Sequence, residues 1–186
     1  MTLSLARLGL MGGIASGDLK LIETQTVSDA VANLSFDSIQ ETTYADHFVT
    51  FQDFLPESDN RHLALRFKVG GTTTTGYDYA AAMQRQVAAT PNELLQGNDT
   101  KIWLAYNVGQ SRERCNGYIY IHNAGSSSKY TGMTAHVTFI NKDANYTTNF
   151  LSGVRKVAST VNGIEFATSG GNISSGTFSL YGIEAS

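Results

Sequence analysis

HLALRFKVG, residues 62–70, is the stretch that decides the fold. In an extended chain Leu63, Leu65, Phe67 and Val69 fall on one side, while Ala64, Arg66 and Lys68 fall on the other. A period of two is the primary mark of a strand with one face in a core and one in solvent. The same period returns in KIWLAYNV (101–108), through Ile102, Leu104, Tyr106 and Val108, and in MTAHVTFIN (133–141), through Met133, Ala135, Val137 and Phe139. GIEFATS (163–169) and GTFSLYGI (176–183) supply two more short strands.

Turn-forming residues punctuate these runs: ESDN at 57–60, VGGTTTTG at 69–76, QGND at 96–99, NAGSSS at 123–128, NKDAN at 141–145 and TSGGNISSG at 168–176. Parallel α/β architecture needs a helix of some ten residues between successive strands, and one stretch alone could be helical. That stretch is YAAAMQRQVAATPNELLQG (79–97). Thr90, Pro91 and Glu93 have the spacing of a cap, a first helical residue and the third position of a capping box, with Gly97 as a terminator. The spacing predicts a short helix over Pro91–Gln96, and the weak alternation of 76–88 predicts a long strand before it. The fold class that follows is all-β: an antiparallel, jelly-roll-like β-sandwich with at most one short helix.

The 186 residues suit a single domain that removes ~70 % of its unfolded surface from water on folding. Charged residues are only 16 % of the chain, so its exposed surface is built largely from Ser, Thr, Asn and Gly. A formal charge of −3, spread along the chain, offers no basic field for nucleic acid. Residues 1–18 differ from the rest, being rich in Gly, Leu and Ala with almost no charge. They are expected to form an N-terminal docking arm, with Leu5, Leu8, Leu10, Met11 and Ile14 as its apolar contacts, ahead of one sandwich domain over 19–186. Arg7 and glycines 9, 12 and 13 interrupt the apolar run, so neither an export signal nor a membrane-inserting span is expected.

Cys115 is the sole cysteine, which excludes an intrachain disulfide, and a buried thiol in a reducing cytoplasm is the expected state. The four histidines lie outside any H-x-x-x-H or H-x-E spacing, so no metal site is expected from them. Asp53, Glu57 and Asp59 in DFLPESDN could offer oxygens to calcium but lack the spacing of an EF-hand loop, and a solvated turn is the simpler expectation. No nucleophile elbow, P-loop or paired-carboxylate context is present, and no cofactor is implied. One constellation does point to contact chemistry. In GYIYIHN (117–123) Tyr118, Tyr120 and His122 share a side, and in TAHVTFI (134–140) Thr134, His136 and Thr138 do. If the two runs pair as a hairpin, Tyr118, Tyr120, His122 and His136 form an imidazole and phenol surface able to meet a glycan or a protein.

The closing stretch GNISSGTFSLYGI (171–183) resembles the ending of a family of small β-rich bacteriophage virion structural proteins, common in marine phages, which finish on an S-G-T-x-x-L-Y-G-I strand. Gly171 and Asn172 match the Gly-rich turn that precedes that strand, and Ser175, Gly176, Thr177, Leu180, Tyr181, Gly182 and Ile183 match the strand itself. YADHFVTFQDFLPESDNRHLALRF (44–67) and residues 117–154 resemble the family's long strand and middle pair, and LARLGLMGG (5–13) is similar to the start of short proteins encoded beside phage tail-fibre genes.

The resemblance implies a non-enzymatic virion protein, tail-fibre-associated or receptor-binding, assembled in the host bacterial cytoplasm. It implies a homo-oligomer, a trimer, with other phage virion proteins and a host surface glycan as partners. Capsid decoration is the alternative within that class, and a carbohydrate-binding or glycan-cleaving β-sandwich is the alternative outside it. An enzyme would require two of Asp53, Glu57, Asp59 and Glu165 to meet across one groove.

Overall fold

The computed structural model describes residues 18–88 and 91–184. Its strands in chain order are β1 (Leu19–Val27), β2 (Asn33–Phe36), β3 (Asp46–Pro56), β4 (Arg61–Val69), β5 (Thr72–Thr73), β6 (Tyr77–Arg85), β7 (Asn92–Asp99), β8 (Ile102–Val108), β9 (Cys115–His122), β10 (Thr131–Ile140), β11 (Tyr146–Arg155), β12 (Gly163–Thr168) and β13 (Ile173–Ile183). Eight of them make a large antiparallel sheet in the order β1-β13-β3-β9-β10-β11-β6-β7. The smaller sheet runs β2-β12-β4-β5, with β8 also paired to β4. The architecture is an all-β, jelly-roll-like sandwich, and no helix is present among the described residues. The arm residues Leu5, Leu8, Leu10, Met11 and Ile14 lie outside the described residues.

The alternating runs fall where their period requires. Met133, Ala135, Val137 and Phe139 of β10 are buried between the sheets, as are Leu63, Leu65 and Phe67 of β4. Two assignments shift by context. Ala64, expected on the solvent side of β4, is buried between its sheet partners Ala167 and Trp103. Val69 and Tyr106, expected in the core, are only partly buried.

The centre of the core is aromatic. Phe51 of β3 and Phe178 of β13 stack with ring centroids 6.0 Å apart, and Phe166 of β12 meets Phe178 across the sandwich at 4.8 Å. All three are fully buried.

The closing strand β13 lies between β1 and β3, so the end of the chain stitches its first strand into the large sheet. Phe178 and Leu180 face the core, and Ser179 and Tyr181 face outward. Two of its glycines are dictated by geometry. Gly176 has φ +146°, and a Cβ there would stand 3.0 Å from the Phe178 ring and 3.1 Å from the Phe54 backbone. At Gly182 a Cβ would fall 2.2 Å from the Tyr44 ring, which lies directly on the glycine.

The predicted helix over Pro91–Gln96 does not form. Asn92–Gln96, with Gly97, Asn98 and Asp99 after them, form strand β7, which pairs with β6 through Met83↔Asn92, Ala81↔Leu94 and Tyr79↔Gln96, while Pro91 precedes it. A helix of six residues is marginal in water whatever its caps, because nucleation is unfavourable. The open edge of β6 offers a ladder of backbone hydrogen bonds instead, and tertiary pairing overrides the local capping pattern. The long strand predicted over 76–88 is observed as β6.

Candidate functional site

The large sheet turns one face to the core and leaves the other open. Register across its strands sets the outward residues in rows. One row reads Leu21, Tyr181, Phe48, Tyr120, Thr134, Ser152, Ala80 and Leu95, from β1 to β7. The next row, two residues along each strand and three along β1 where a bulge intervenes, reads Thr24, Ser179, Thr50, Tyr118, His136, Phe150, Ala82 and Glu93. Each row therefore carries three rings, and the two triads are offset so that rings in one row lie beside hydroxyls in the other.

The result is a diagonal, unbroken band of rings. Tyr181 lies 6.1 Å from Phe48, Phe48 lies 4.8 Å from Tyr120 and 5.9 Å from Tyr118, and Tyr118 meets His136 edge-on at 5.8 Å. His136 then stacks on Phe150 at 4.2 Å with the planes 6° apart. The hairpin anticipated from the sequence is real, since Tyr118 stands opposite His136 and Tyr120 opposite Thr134. His122 closes the band at its margin, parallel to Tyr120 at 6.4 Å and 3.5 Å from the Asp46 carboxylate. The sequence signal missed Phe48, Phe150 and Tyr181 as partners of these residues. Each occupies an alternate, outward position in an otherwise core-forming strand, which was the available clue.

The polar groups of the face are mostly neutral. His136 Nε2 and the Thr148 hydroxyl share a hydrogen bond of 2.8 Å, and the same hydroxyl lies 3.3 Å from the Val137 carbonyl oxygen. Asn116, Thr138, Thr148 and Gln84 continue the next row as amides and hydroxyls. Charge stays at the margins: Glu93 ends one row, and Asp78 is paired with Lys156 beyond the other.

Beside Phe150 the face dips into a shallow trough of about 570 Å³. Ala80, Ala82, Thr134 and Ser152 line its floor, with Phe150 on one side and Leu95 and Glu93 of β7 on the other. Both walls are solvent-exposed, Phe150 by 50 % and Leu95 by 74 %.

The other candidates are dispersed. Asp53 sits at a bulge of β3 with φ +55°, its N–H donating to Asn116 Oδ1. Asp59 lines a separate small cavity with Gln110, Glu113 and Lys142. Glu165 belongs to β12 of the small sheet and is ion-paired with Arg66. Glu57 and Asp59 lie in the turn between β3 and β4, Asp53 and Glu165 belong to different sheets, and no group of three metal-ligating side chains occurs among the described residues. Cys115 is buried at the start of β9, where desolvation pushes its thiol pKa up and keeps it protonated.

No protein-family model and no curated protein matches this sequence. Among solved structures the chain is similar to an alginate lyase from Alteromonas sp. 272, at TM-score 0.32 and 10 % identity over 90 % of this chain and 92 % of that one. It is also similar to the polysaccharide lyase family 18 protein aly-SJ02, at TM-score 0.34 and 10 % identity over 90 % of this chain and 92 % of that one. A third likeness is to the CBM2 module of an evolved Dit protein from Lactobacillus casei BL23 phage J-1, at TM-score 0.26 and 9 % identity over 96 % of this chain and 86 % of that one. These are distant likenesses between β-sandwiches, and no residue role is carried over from them.

Proposed function

We propose that the chain is a non-enzymatic structural protein of a bacteriophage virion, of tail-fibre or receptor-binding type, which meets its receptor on the outer face of the large sheet. The observation that carries this reading is the band of six rings, Tyr181, Phe48, Tyr120, Tyr118, His136 and Phe150, on an open and nearly uncharged surface. Apolar ring surface left in water at this density favours a partner that covers it, and rings with hydroxyls between them suit contact more than turnover. Tyr118 and His136 are an acid–base pair in type. However, the two rows hold one carboxylate, Glu93, and neither Lys nor Arg to neutralise charge developing on a substrate. The closing strand's resemblance to phage virion proteins supports the assignment to a particle. Assembly takes place in the host cytoplasm as a homotrimer, and residues 1–18 dock the trimer to other virion proteins.

Immunogold labelling of purified particles, together with competition of particle adsorption by the purified protein, tests this reading. Label at the tail and blocked adsorption are expected. Label over the head without any block would move the protein to capsid decoration. Loss of polysaccharide viscosity on mixing would make it a glycan-cleaving enzyme instead, and absence from particles would overturn the virion assignment.

A further inference from the structure

The chemistry of the outer face narrows what it can hold. We infer that its ligand is a linear, uncharged polysaccharide that lies across the strands, with one sugar ring seated in the trough against Phe150; this rests on the receptor-binding reading above. Three features of the face lead there.

The first is charge. Along both rows from β1 to β7 there is no Lys or Arg, and the one carboxylate is Glu93 at the β7 end, which lines the trough. A polyanion laid here would bring carboxylates or sulfates against rings and hydroxyls, losing water without gaining a counter-charge. An uncharged polymer meets no such penalty.

The second is the pairing of rings with hydroxyls. The triad Tyr181, Phe48 and Tyr120 runs beside Ser179, Thr50 and Tyr118, and the triad Tyr118, His136 and Phe150 runs beside Thr134 and Ser152. A pyranose presents a C–H face that packs on a ring and a rim of hydroxyls that hydrogen-bond to its neighbours. The face offers both at each strand step. From β13 to β7 the rows cover six strand spacings, ~29 Å, which is a length for several sugar units in succession.

The third is the slot. His136 occupies the β10 side of the Phe150 ring, stacked at 4.2 Å, while on the β6 side the opposing residue is only Ala82. The far face of Phe150 is therefore open to the trough, whose floor is alanine, serine and threonine and whose other wall is Leu95 with Glu93. Leu95, exposed on an edge strand, has no packing role to explain it. A flat ring of alternating C–H and O–H groups fits between the two walls.

Affinity electrophoresis of the full chain in native gels tests the inference, with gels carrying soluble glucan, mannan, galactan or xylan beside gels carrying alginate. Two variants accompany the wild type: Phe150→Ala, which removes the ring, and Ala82→Trp, which keeps the ring and fills the slot. Circular dichroism melting of each checks folding. The expected result is retardation in at least one neutral gel that persists in high salt, where ionic contacts are screened. Both variants should weaken it by about tenfold while melting as the wild type does. Retardation by alginate alone, binding abolished by salt, or no retardation in any neutral gel would overturn the inference. If adsorption competition by the purified protein persists alongside a null result in all gels, the neutral-glycan inference fails and the receptor-binding reading stands; loss of both removes the two together.

Discussion

The inner and outer faces of the large sheet are built from the same strands and from similar residues, yet they do opposite things. On β3, Phe51 is sealed in the core while Phe48, three residues earlier, stands outside; on β13, Phe178 is buried while Tyr181 faces out. Inside, rings pack against rings of the opposing sheet, as Phe178 does with Phe166. Outside, rings pack only against neighbours in their own sheet and keep a face or an edge for solvent. Aromatic content alone therefore does not distinguish stability from recognition. The number of sides on which a ring is covered does.

Removing a core ring should give the largest effect. Phe178→Ala is expected to cost ~3–5 kcal/mol by urea unfolding, since a fully buried ring in a fixed surround leaves a cavity. A loss below ~1 kcal/mol would erase the distinction between the faces.

Gly182→Ala comes next. Its new methyl must displace the Tyr44 ring, and a loss of ~1–3 kcal/mol is expected, reduced when Tyr44→Ala is combined with it. Additive losses in that double variant would show that the ring and the glycine do not share the space.

Acid acts on the inner side as well. His47 is buried on β3, its Nε2–H donating to the Ile39 carbonyl oxygen at 2.7 Å. Desolvation by burial holds its pKa below the ordinary 6.5, against opposing pulls from that hydrogen bond, Asp46 and Glu41. His62 is shifted in the same direction, also by desolvation. Because both folded pKa values are depressed, the unfolded chain takes up protons first as pH falls. The stability due to neutral histidine is complete above the unfolded value and is lost as pH drops through the folded one. The urea midpoint should decline from about pH 7 to about pH 5, and His47→Gln should flatten part of that decline. A parallel decline in His47→Gln would assign the effect elsewhere.

The smallest effect belongs to the outer face. Phe150→Ala should change stability by only ~0.5 kcal/mol, the range of surface substitutions, while altering binding. A thiol reagent gives a complementary check on the interior: Cys115 should react only on unfolding, and rapid labelling of the native protein would show that β9 opens locally.

The large architecture was legible because alternation is local and strong. HLALRFKVG and MTAHVTFIN declare their buried faces within ten residues, and the closing strand declares both of its faces. The segment at Pro91–Gln96 misled because its caps are local whereas its actual partner, β6, lies across a turn and rewards pairing instead. The candidate site was half legible for a similar reason. Tyr118, Tyr120, His122 and His136 share a hairpin, so adjacency in sequence brought them together. Phe48, Tyr181 and Phe150 join the band only through β3–β9, β13–β3 and β10–β11 register, and two of those pairings are long-range. No local pattern ranks one outward aromatic above another when the neighbour that completes it lies far away in the chain.

The central claim is that the outer face recognises and the inner face holds the fold. Its most direct test is inhibition of particle adsorption by purified Phe48→Ala/Tyr120→Ala protein, measured beside the wild type at matched concentration. The account predicts that the wild type blocks adsorption and that the doubly substituted protein, with its melting temperature preserved, does not. Equal inhibition by a folded variant stripped of both rings would contradict it.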